Sequence, residues 1–397
     1  MSDKASPQPQ RNVISKLWND KEYREVIIQI IAITAIFAFF FIMARNAVSN
    51  LEAIGKDISF SFLWQPSSYD ISQHLIEYTS RSTHFRAMLV GIINTLMIAV
   101  LGIILSTVLG FLLGVFRLSK NWIINRLAYF YIEYVRNVPV LLHILLVHGL
   151  IVHSLPIPKN AININDAAFL TNRGLFTPSP GFESLFWIVL ILFVGGIIFS
   201  WWFSRYAKMV QDTTGKHYPV FWISLGAIVG LPFLMYFILG SPIAWEIPVL
   251  KGFNFKGGMV IRPEFIALWL ALSLYTAAFI GEIVRAGISA VSWGQTEASS
   301  ALGISGGRTL SLVVIPQALR IIIPPLTSQY LNITKNSSLA IAIGYMDIVA
   351  TLGGVTLNQT GREMETMTMV LGLYLLFSLI ISSIMNWYNK RIKLIER

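Results

Sequence analysis

Eight long runs of apolar residues limit what this chain can fold into more than any other feature. A helix needs about 20 mainly apolar residues to cross the hydrocarbon core of a bilayer. Runs close to or above that length lie at about 26–44, 88–116, 127–153, 185–203, 220–239, 265–288, 321–345 and 367–387. Lipid offers the backbone no hydrogen-bond partners, so such runs form helices there. The sequence therefore predicts an all-α polytopic membrane protein with about eight transmembrane helices.

The composition agrees with a membrane protein and excludes several other classes. Of the 397 residues, 55% are hydrophobic and 13% are charged, whereas soluble domains carry about 25% charged residues. The absence of cysteine excludes a disulfide framework and thiolate chemistry. The net charge of +10 does not indicate nucleic-acid binding, because no basic patch interleaved with aromatic residues is present.

Basic residues between the apolar runs predict the orientation of the chain, because cytoplasmic loops are enriched in Lys and Arg. The clusters in alternate loops are Lys16, Lys21 and Arg24; Arg117, Lys120 and Arg126; Arg205, Lys208 and Lys216; Arg285, Arg308 and Arg320; and Lys390, Arg391, Lys393 and Arg397. Eight spans with both termini in the cytoplasm place all of these clusters inside. Residues 1–25 are polar and lack a signal-peptide pattern, so we expect a cytoplasmic tail there.

A short stretch of small and polar residues follows the sixth apolar run. Residues 295–302 favour a short helix with Ala298, Ala301 and Leu302 on one face. Gly303 follows, at a position where the left-handed end of a helix favours glycine. The stretch therefore predicts a helix that ends in a sharp turn.

A second helix is expected after this turn. Ser305 is placed to cap it, and Pro316 is expected to end or bend it. The small residues let another protein approach the backbone closely, and Glu297 adds a charge for docking. The alternative from these properties alone is an amphipathic helix that lies on the membrane surface.

No enzymatic centre is predicted. A phosphate-binding loop would read G-x-x-x-x-G-K-[ST], and no segment matches this pattern. His143, His148 and His153 lie on one apolar run, where histidines that pack between helices or line a water cavity are more common than metal ligands. No G-x-S-x-G elbow is present. We therefore expect a chain that binds no metal or cofactor and does not hydrolyse ATP itself.

Ionisable side chains within the apolar runs are candidate functional groups, because each costs about 2.5–3.5 kcal/mol at the centre of a membrane helix. Glu133 and Arg136, and likewise Glu282 and Arg285, are spaced to pair on one helix turn. Such pairs either stabilise an interface or belong to a site. Arg136 and Glu282 are accordingly candidates for a translocation path.

The seventh run contains a lysine among polar neighbours. Lys335 lies near its middle, with Asn332, Asn336, Ser337 and Ser338 beside it. This grouping favours a water-lined path over a structural role. If the solute is a zwitterion, Lys335 or Arg136 would bind its carboxylate. The neighbouring amides and hydroxyls would bind either end of it.

Small residues are spaced for close helix packing in the second run. Gly110 and Gly114 form G-x-x-x-G, and Gly102 lies two turns earlier. This spacing allows two helices to approach closely. Packing within the chain is favoured over dimerisation.

Several motifs, in order over the last third of the chain, resemble those of bacterial ABC importer permeases. E-A-S-S-A-L-G from Glu297 and I-P-Q-A-L-R from Ile315 resemble the EAA loop of that class. Y-T-A-A-F-I-G-E-I-V-R-A-G-I from Tyr275 and K-N-S-S-L-A from Lys335 resemble the polar amino acid permeases, a family similar to the histidine and glutamine permeases. Ser299 replaces the family's second alanine, and isoleucine replaces the leucine that usually precedes the proline; both changes are mild.

This resemblance implies a transmembrane subunit that carries L-amino acids across a bacterial inner membrane by alternating access. The partners it implies are a dimer of ATPase subunits that use the ATP, a second and different permease chain, and a periplasmic amino acid-binding protein. The residues it implies for contact with the ATPase are Glu297, Ala298, Ala301, Leu302, Gly303 and Pro316.

The layout looks like that of the permeases of general L-amino acid uptake systems, with a five-helix core formed by the second, third, sixth, seventh and eighth spans. It divides the chain into a cytoplasmic tail (1–25), an additional first helix (26–44), a periplasmic loop (45–87), the permease domain (88–389) and a cytoplasmic C-terminus (390–397). Within the permease domain, a helix pair is inserted at about 155–264, and the coupling loop lies at about 291–320. The periplasmic loop either contacts the binding protein or caps the helices.

Two other functions are alternatives to an ABC importer permease. An ion-coupled secondary amino acid transporter would carry its own coupling sites and leave the stretch after the sixth span without a role. A proton-coupled version would also need an unpaired carboxylate in the middle of a span, and we find none in the sequence. A membrane-embedded enzyme would need a catalytic group of residues that is not found.

Overall fold

The computed structural model describes residues 20–53, 55 and 57–392, and the rest of the predicted tails lies outside it. Within this range the chain is mainly helical. The helices are α1 (Lys21–Ala53), α2 (His84–Arg117), α3 (Trp122–Asn137), α4 (Val140–Ser154), α5 (Phe186–Thr214), α6 (Val220–Leu225), α7 (Leu231–Ile238), α8 (Pro263–Ser289), α9 (Trp293–Ala301), α10 (Gly306–Thr309), α11 (Ile315–Asn336), α12 (Leu357–Thr360) and α13 (Glu363–Ile392). Wider π-helical turns at Gly226–Gly230 and Leu310–Val314 connect α6 to α7 and α10 to α11.

The third apolar run is broken at Val138 and Pro139, as its R-N-V-P sequence predicts. Helices α3 and α4 meet at an angle of 107° on either side of Val138 and Pro139. A proline has no N–H to donate, and it restricts the residue before it to extended backbone, which Val138 adopts with φ −108° and ψ 133°. Seven other helices in the described chain are long and apolar enough to cross a bilayer, so the broken pair completes the eight predicted spans.

The contact between α2 and α8 forms the centre of the molecule. A β-carbon at Gly110 would lie 2.5 Å from Cβ of Ile280, and one at Gly114 would lie 2.6 Å from Cβ of Val284. Side chains cannot approach that closely without a shift of the helices, so glycine is needed at both positions. The contacts advance in the same direction along both helices, so α2 and α8 run parallel. The G-x-x-x-G motif therefore packs within the chain.

Helix α11 runs back in the opposite direction. Its beginning packs at Ile322 against Gly287 near the end of α8, and its end packs at Ile333 against Gly102 in the middle of α2. Helix α8 has 27 residues, which is about 40 Å of helix. Its two ends therefore lie on opposite sides of the bundle, one preceding α9 and the other following a group of strands.

These strands are the feature that the all-α prediction lacked. In the described chain they are β1 (Ile162–Ile164), β2 (Ala168–Thr171), β3 (Gly174–Thr177), β4 (Ser179–Phe182), β5 (Ile243–Glu246), β6 (Val249–Lys251), β7 (Asn254–Lys256) and β8 (Met259–Ile261). They form an antiparallel sheet in the order β1-β2-β3-β8 and the antiparallel pairs β4-β5 and β6-β7. Each strand has only three or four residues, which is too short for a clear alternating pattern. We call residues 156–183 and 240–262 the β-cap.

The β-cap has a small aromatic core of its own. The ring of Phe255 stacks on that of Phe169 at a centroid distance of 4.5 Å and lies 4.9 Å from that of Phe176. Phe176 is 1% exposed. A hydrogen bond from the backbone N–H of Arg262 to Oε1 of Gln73 (3.2 Å) ties the β-cap to the segment that precedes α2. The β-cap is therefore a folded unit joined to the bundle.

The segment 57–83 covers the same side of the bundle as the β-cap. The Tyr69 hydroxyl lies 3.1 Å from Oγ1 of Thr356, and Nδ2 of Asn94 donates to the carbonyl oxygens of Gln73 and Met346, at 2.9 Å each. Burial raises the pKa of Tyr69 to about 12, so its hydroxyl stays protonated. Of the two predicted roles for this loop, the structure shows the capping contacts.

The first span and the inserted helices lie apart from these contacts. None of the apolar window of α1 is buried in this chain. Helices α5 and α6–α7 pack on each other, with Gly196 in close contact with the backbone of Ala227. Most of their large apolar side chains are exposed, as expected for surfaces that face lipid or another membrane subunit.

A test of the central contact is the pair Gly114→Ala and Gly372→Ala. A β-carbon at Gly114 would lie 2.8 Å from the backbone carbonyl oxygen of Gly281, whereas nothing lies within 4 Å of one at Gly372 in α13. We expect Gly114→Ala to lower the free energy of unfolding by about 1–3 kcal/mol through overpacking. Gly372→Ala should be neutral or raise it by up to about 1 kcal/mol, since alanine favours a helix. Thermal unfolding in detergent measures both, and equal stability of the two variants would contradict the packing described here.

Candidate functional site

A compact helical turn follows α8 at its end opposite the β-cap. We call residues 293–309, which comprise α9, the turn at Gly303 and α10, the knob. Gly303 has φ +73°, the left-handed conformation predicted for it. The backbone N–H of Gly303 donates to the carbonyl of Ser300 (2.9 Å), and that of Ile304 donates to the carbonyl of Ser299 (3.0 Å), so the turn satisfies the last carbonyls of α9.

The knob presents the predicted contact residues to its surroundings. Glu297, Ala298 and Ala301 are exposed, and Leu302 is 78% exposed. Ser299, which stands where the resembled family has alanine, is instead the buried residue of α9. A small residue at this position lets the helix lie close to the rest of the chain.

The knob is fastened to the helix that follows it. Nε2 of Gln317 in α11 donates to Oε1 of Gln295 in α9 (3.1 Å). Thr309 at the end of α10 is buried, and its hydroxyl donates to the carbonyl oxygen of Ile304 (3.5 Å). The knob is therefore held between α8 and α11, and a force on it acts on both spans.

One detail of the predicted knob is wrong, and one of the two alternatives for Pro316 is excluded. Ser305 occupies the N-cap position of α10, but its side chain makes no capping hydrogen bond. Pro316 does not end the second helix: it lies in the first turn of α11, where a missing N–H is tolerated. The π-helical turn at Leu310–Val314 precedes it, and the helix continues into the seventh span.

One predicted ion pair forms near the knob. Nε of Arg285 donates to both carboxylate oxygens of Glu282 at 3.0 Å. The other pair, between Glu133 and Arg136, is not found among the described residues. Arg136 instead lies over the ring of Phe279, 5.5 Å from its centroid. The carbonyl and carboxylate of Glu133 accept from Asn137, so both charged groups have other partners.

A polar stripe runs along the outer face of α11. Ser328, Asn332 and Lys335 are exposed and are spaced by four and three residues, which places them on one face of the helix. Asn336 and Ser338 are partly exposed beside them. Hydrocarbon tolerates such a stripe poorly, so this face is suited to water or to another protein subunit.

The predicted path residues fall into two groups at different depths. Lys335 lies two residues after Ile333, which packs at the level of Gly102. Glu282 lies two residues before Val284, which packs at the level of Gly114. Twelve residues of helix separate these two levels, about 18 Å along the bundle. The charged residues near the knob are therefore apart from the polar stripe.

The structure contains a buried carboxylate, Asp347, that is not among the residues predicted from the sequence. Asp347 is fully buried: Oδ1 accepts from the N–H of Ala350 (2.9 Å), and Oδ2 accepts from the hydroxyl of Tyr374 (3.0 Å). The Tyr374 hydroxyl also lies 3.3 Å from Oγ of Ser337, which is fully buried and so does not line an open path. A lone aspartate in the apolar stretch I-G-Y-M-D-I-V-A is the signal that could have found it.

One histidine of α4, His143, takes part in aromatic packing. The ring of His143 lies 6.0 Å from that of Tyr134 and 5.7 Å from that of Tyr275, between centroids. In the part of the chain that the structure describes, no group of three or more potential metal-ligating side chains is found. The ring contacts of His143 agree with a packing role for that residue.

Comparison with known proteins identifies the family. A family model described as a binding-protein-dependent transport system inner membrane component matches residues 214–394, a range that includes α8, the knob and α11. The putative amino-acid ABC transporter permease protein YhdX of Escherichia coli (strain K12) is 46% identical over 94% of this chain and 95% of its own. This chain belongs to the ABC transporter permease family.

Two further relatives of this permease match over almost its whole length. The general L-amino acid transport system permease protein AapQ of Rhizobium johnstonii is 45% identical over 95% of this chain and 94% of its own. The glutamate/glutamine/aspartate/asparagine transport system permease protein BztB of Rhodobacter capsulatus is 45% identical over 97% of both chains. A crystal structure of an amino acid ABC transporter with histidines matches 78% of this permease and 95% of its own chain at 19% identity, with a TM-score of 0.46.

The buried network around Asp347 can be tested with Tyr374→Phe. This change removes the hydroxyl that donates to Oδ2 of Asp347 and leaves a buried carboxylate oxygen without that partner. The expected loss is about 1–3 kcal/mol in the free energy of unfolding. The matched control is Tyr388→Phe on the same helix, where the side chain is 45% exposed. Chemical unfolding in detergent measures the stability of both variants. Equal free energies of unfolding would contradict the network.

Proposed function

We propose that this permease is the membrane subunit of an ABC importer for amino acids, driven by separate ATPase subunits. The observation that carries the proposal is the knob: an exposed helix and glycine turn, fastened to two spans at one end of the bundle. Its relatives are named as permeases for amino acids, which supports the substrate class. ATP is bound by the partner subunits rather than by this chain.

In this proposal the knob transmits the movement of the ATPase subunits. Exposed Ala298 and Ala301 let a partner approach the backbone of α9, and Leu302 offers an apolar anchor. Because the knob joins α8 to α11, a displacement of the knob shifts these spans as rigid bodies. The parallel packing of α2 on α8 carries the displacement into the core.

The polar stripe on α11 would line the path of the substrate. A second permease chain, different from this one, would face the stripe and close the path on its other side. The ammonium group of Lys335 suits a substrate carboxylate, and the amides of Asn332 and Asn336 suit either end of an amino acid. Arg136 and Glu282 lie nearer the knob and would act closer to the inner opening.

We further propose that the knob faces the cytoplasm of a bacterial cell, with both termini on that side of the inner membrane. Arg117 at the end of α2, Arg285 in α8 and Lys390 in α13 all belong to the same end of the bundle as the knob. Their enrichment there supports this orientation. The β-cap would then lie outside, where a periplasmic binding protein delivers the substrate.

The first test compares Gly303→Pro with Gly215→Pro. Both glycines end a helix in the left-handed conformation, with φ of +73° and +72°, and neither has another atom within 4 Å of a β-carbon position. Proline cannot adopt either angle, so the local disturbance is alike. We expect Gly303→Pro to abolish amino acid uptake while the protein remains inserted, and Gly215→Pro, in the inserted helix pair, to retain it. Uptake of radiolabelled amino acids by cells measures this.

A charge reversal at the knob gives a second, milder variant. Glu297→Lys changes an exposed side chain for which the described chain offers no ion-pair partner. Its effect on stability is therefore expected to be small, while uptake is expected to be lost. Normal uptake by both Glu297→Lys and Gly303→Pro would remove the knob from the mechanism.

A cross-linking test uses the absence of cysteine in this chain. A single cysteine at exposed Ser300 should be linked by a bifunctional thiol reagent to a soluble ATPase subunit with a G-x-x-x-x-G-K-[ST] loop. A single cysteine at Asn160, exposed in the β-cap, is the control and should give no such product. Labelling of Ser300→Cys by an impermeant reagent added outside the cell would contradict the proposed orientation.

A further inference from the structure

The β-cap carries a surface that the proposed transport mechanism does not yet use. The turn between β6 and β7 presents Phe253, whose side chain is 76% exposed. Most monomeric soluble surfaces show large apolar groups only singly, whereas here Val249 and Leu250 are exposed beside it. These residues lie outside the predicted spans, so lipid tails do not account for their exposure.

Two cations hold this phenylalanine in place. Nζ of Lys159 lies over its ring, 4.7 Å from the centroid, and Nη1 of Arg173 donates to its carbonyl oxygen at 3.2 Å. These contacts come from two other segments of the β-cap, so the exposed ring is fixed rather than loose. Aromatic side chains and arginine are both enriched in protein interfaces, and here Phe253 and Arg173 are in contact.

Basic groups outnumber acidic ones around the ring, although Asp166 also lines the adjoining cleft. Lys159, Arg173, Lys251 and Lys256 surround or flank the β6–β7 turn, and none of the four forms an ion pair with any part of the chain that the structure describes. A second copy of this surface would bring like charges together. The surface therefore favours a partner with acidic groups.

An open cleft of about 470 Å³ lies directly beside the turn. Its lining includes the apolar side chains of Phe169, Pro248 and Phe255 together with the charged groups of Lys159 and Asp166. The cleft could take an apolar side chain of a partner while Phe253 enters the partner's surface. An apolar centre with a charged rim is the usual anatomy of a reversible protein interface.

We infer that the β6–β7 turn and the adjoining cleft of the β-cap form the docking site for an acidic patch on the external amino acid-binding protein. This inference rests on the proposed function, which places the β-cap outside the cell. It assigns a role to the strands of the inserted segment, 155–264, for which the sequence suggested none. Strand β8 ends at Ile261 and α8 begins at Pro263, so the β-cap leads directly into the span that ends at the knob.

The quantitative test is a charge reversal at the turn. Lys251→Glu combined with Lys256→Glu should raise the concentration of binding protein needed for half-maximal uptake at least about tenfold, since complementary charge speeds association by 10- to 1,000-fold. The maximal rate should be unchanged. The assay uses spheroplasts supplied with the purified periplasmic amino acid-binding protein that restores uptake to the wild-type chain.

A matched control carries the same change in charge at the other end of the molecule. Lys208→Glu combined with Lys216→Glu alters two exposed residues at the end of α5, and the half-maximal concentration should not move. An unchanged value in the Lys251/Lys256 variant would overturn the docking site, while uptake that still requires an intact Gly303 would leave the proposed importer function standing.

A photo-cross-linker placed at Phe253 identifies the occupant directly and does not depend on the charge variants folding. In intact cells, p-benzoylphenylalanine at this position should give an adduct whose mass spectrum matches the same binding protein. Salt should reduce its yield, because exposed charge pairs are screened. An adduct with lipid alone, with a second permease chain, or no adduct in cells that take up amino acids normally would each overturn the inference.

Discussion

The close contact between α2 and α8 is the interaction on which the rest of this structure depends. Lipid surrounds a membrane helix as readily as another apolar helix does, so packing at short range has to supply the association. Gly110 and Gly114 bring the two backbones near enough for Ile280 and Val284 to fill the space that side chains would occupy. The contact also sets α2 parallel to α8, and α11 then packs against both.

This arrangement explains how one chain presents different surfaces at its two ends. Helix α8 leads from the β-cap at one end to the knob at the other, and α11 returns from the knob to the middle of the bundle. The knob is continuous with two packed spans, and a hydrogen bond between Gln317 and Gln295 joins it to α11. This geometry supports the proposal that a partner at the knob moves these helices.

Most of the charged groups discussed in the bundle have partners within the protein, because lipid offers them no hydrogen bonds. Asp347 is buried and fully hydrogen-bonded, Glu282 pairs with Arg285, and Arg136 lies over an aromatic ring. Lys335 is different, because it lies on an exposed polar face of α11. A lysine so placed points to a neighbour outside this chain, which is consistent with a second permease subunit and a water-filled path between them.

The sequence by itself determined the features that depend on local pattern: the eight spans, the break at Pro139, and the left-handed turn at Gly303. A helix has to be long enough to cross the hydrocarbon core of the bilayer, so spans can be predicted from the length of apolar runs. Proline interrupts a helix and glycine adopts left-handed turns, so breaks and turns can also be predicted. Only the tertiary structure decided the strand pairing of the β-cap, the partner of Arg136 and the network around Asp347. These contacts join residues far apart in the chain, such as Thr177 with Met259. They stabilise the protein only when distant segments meet, so they cannot be predicted from a local sequence pattern.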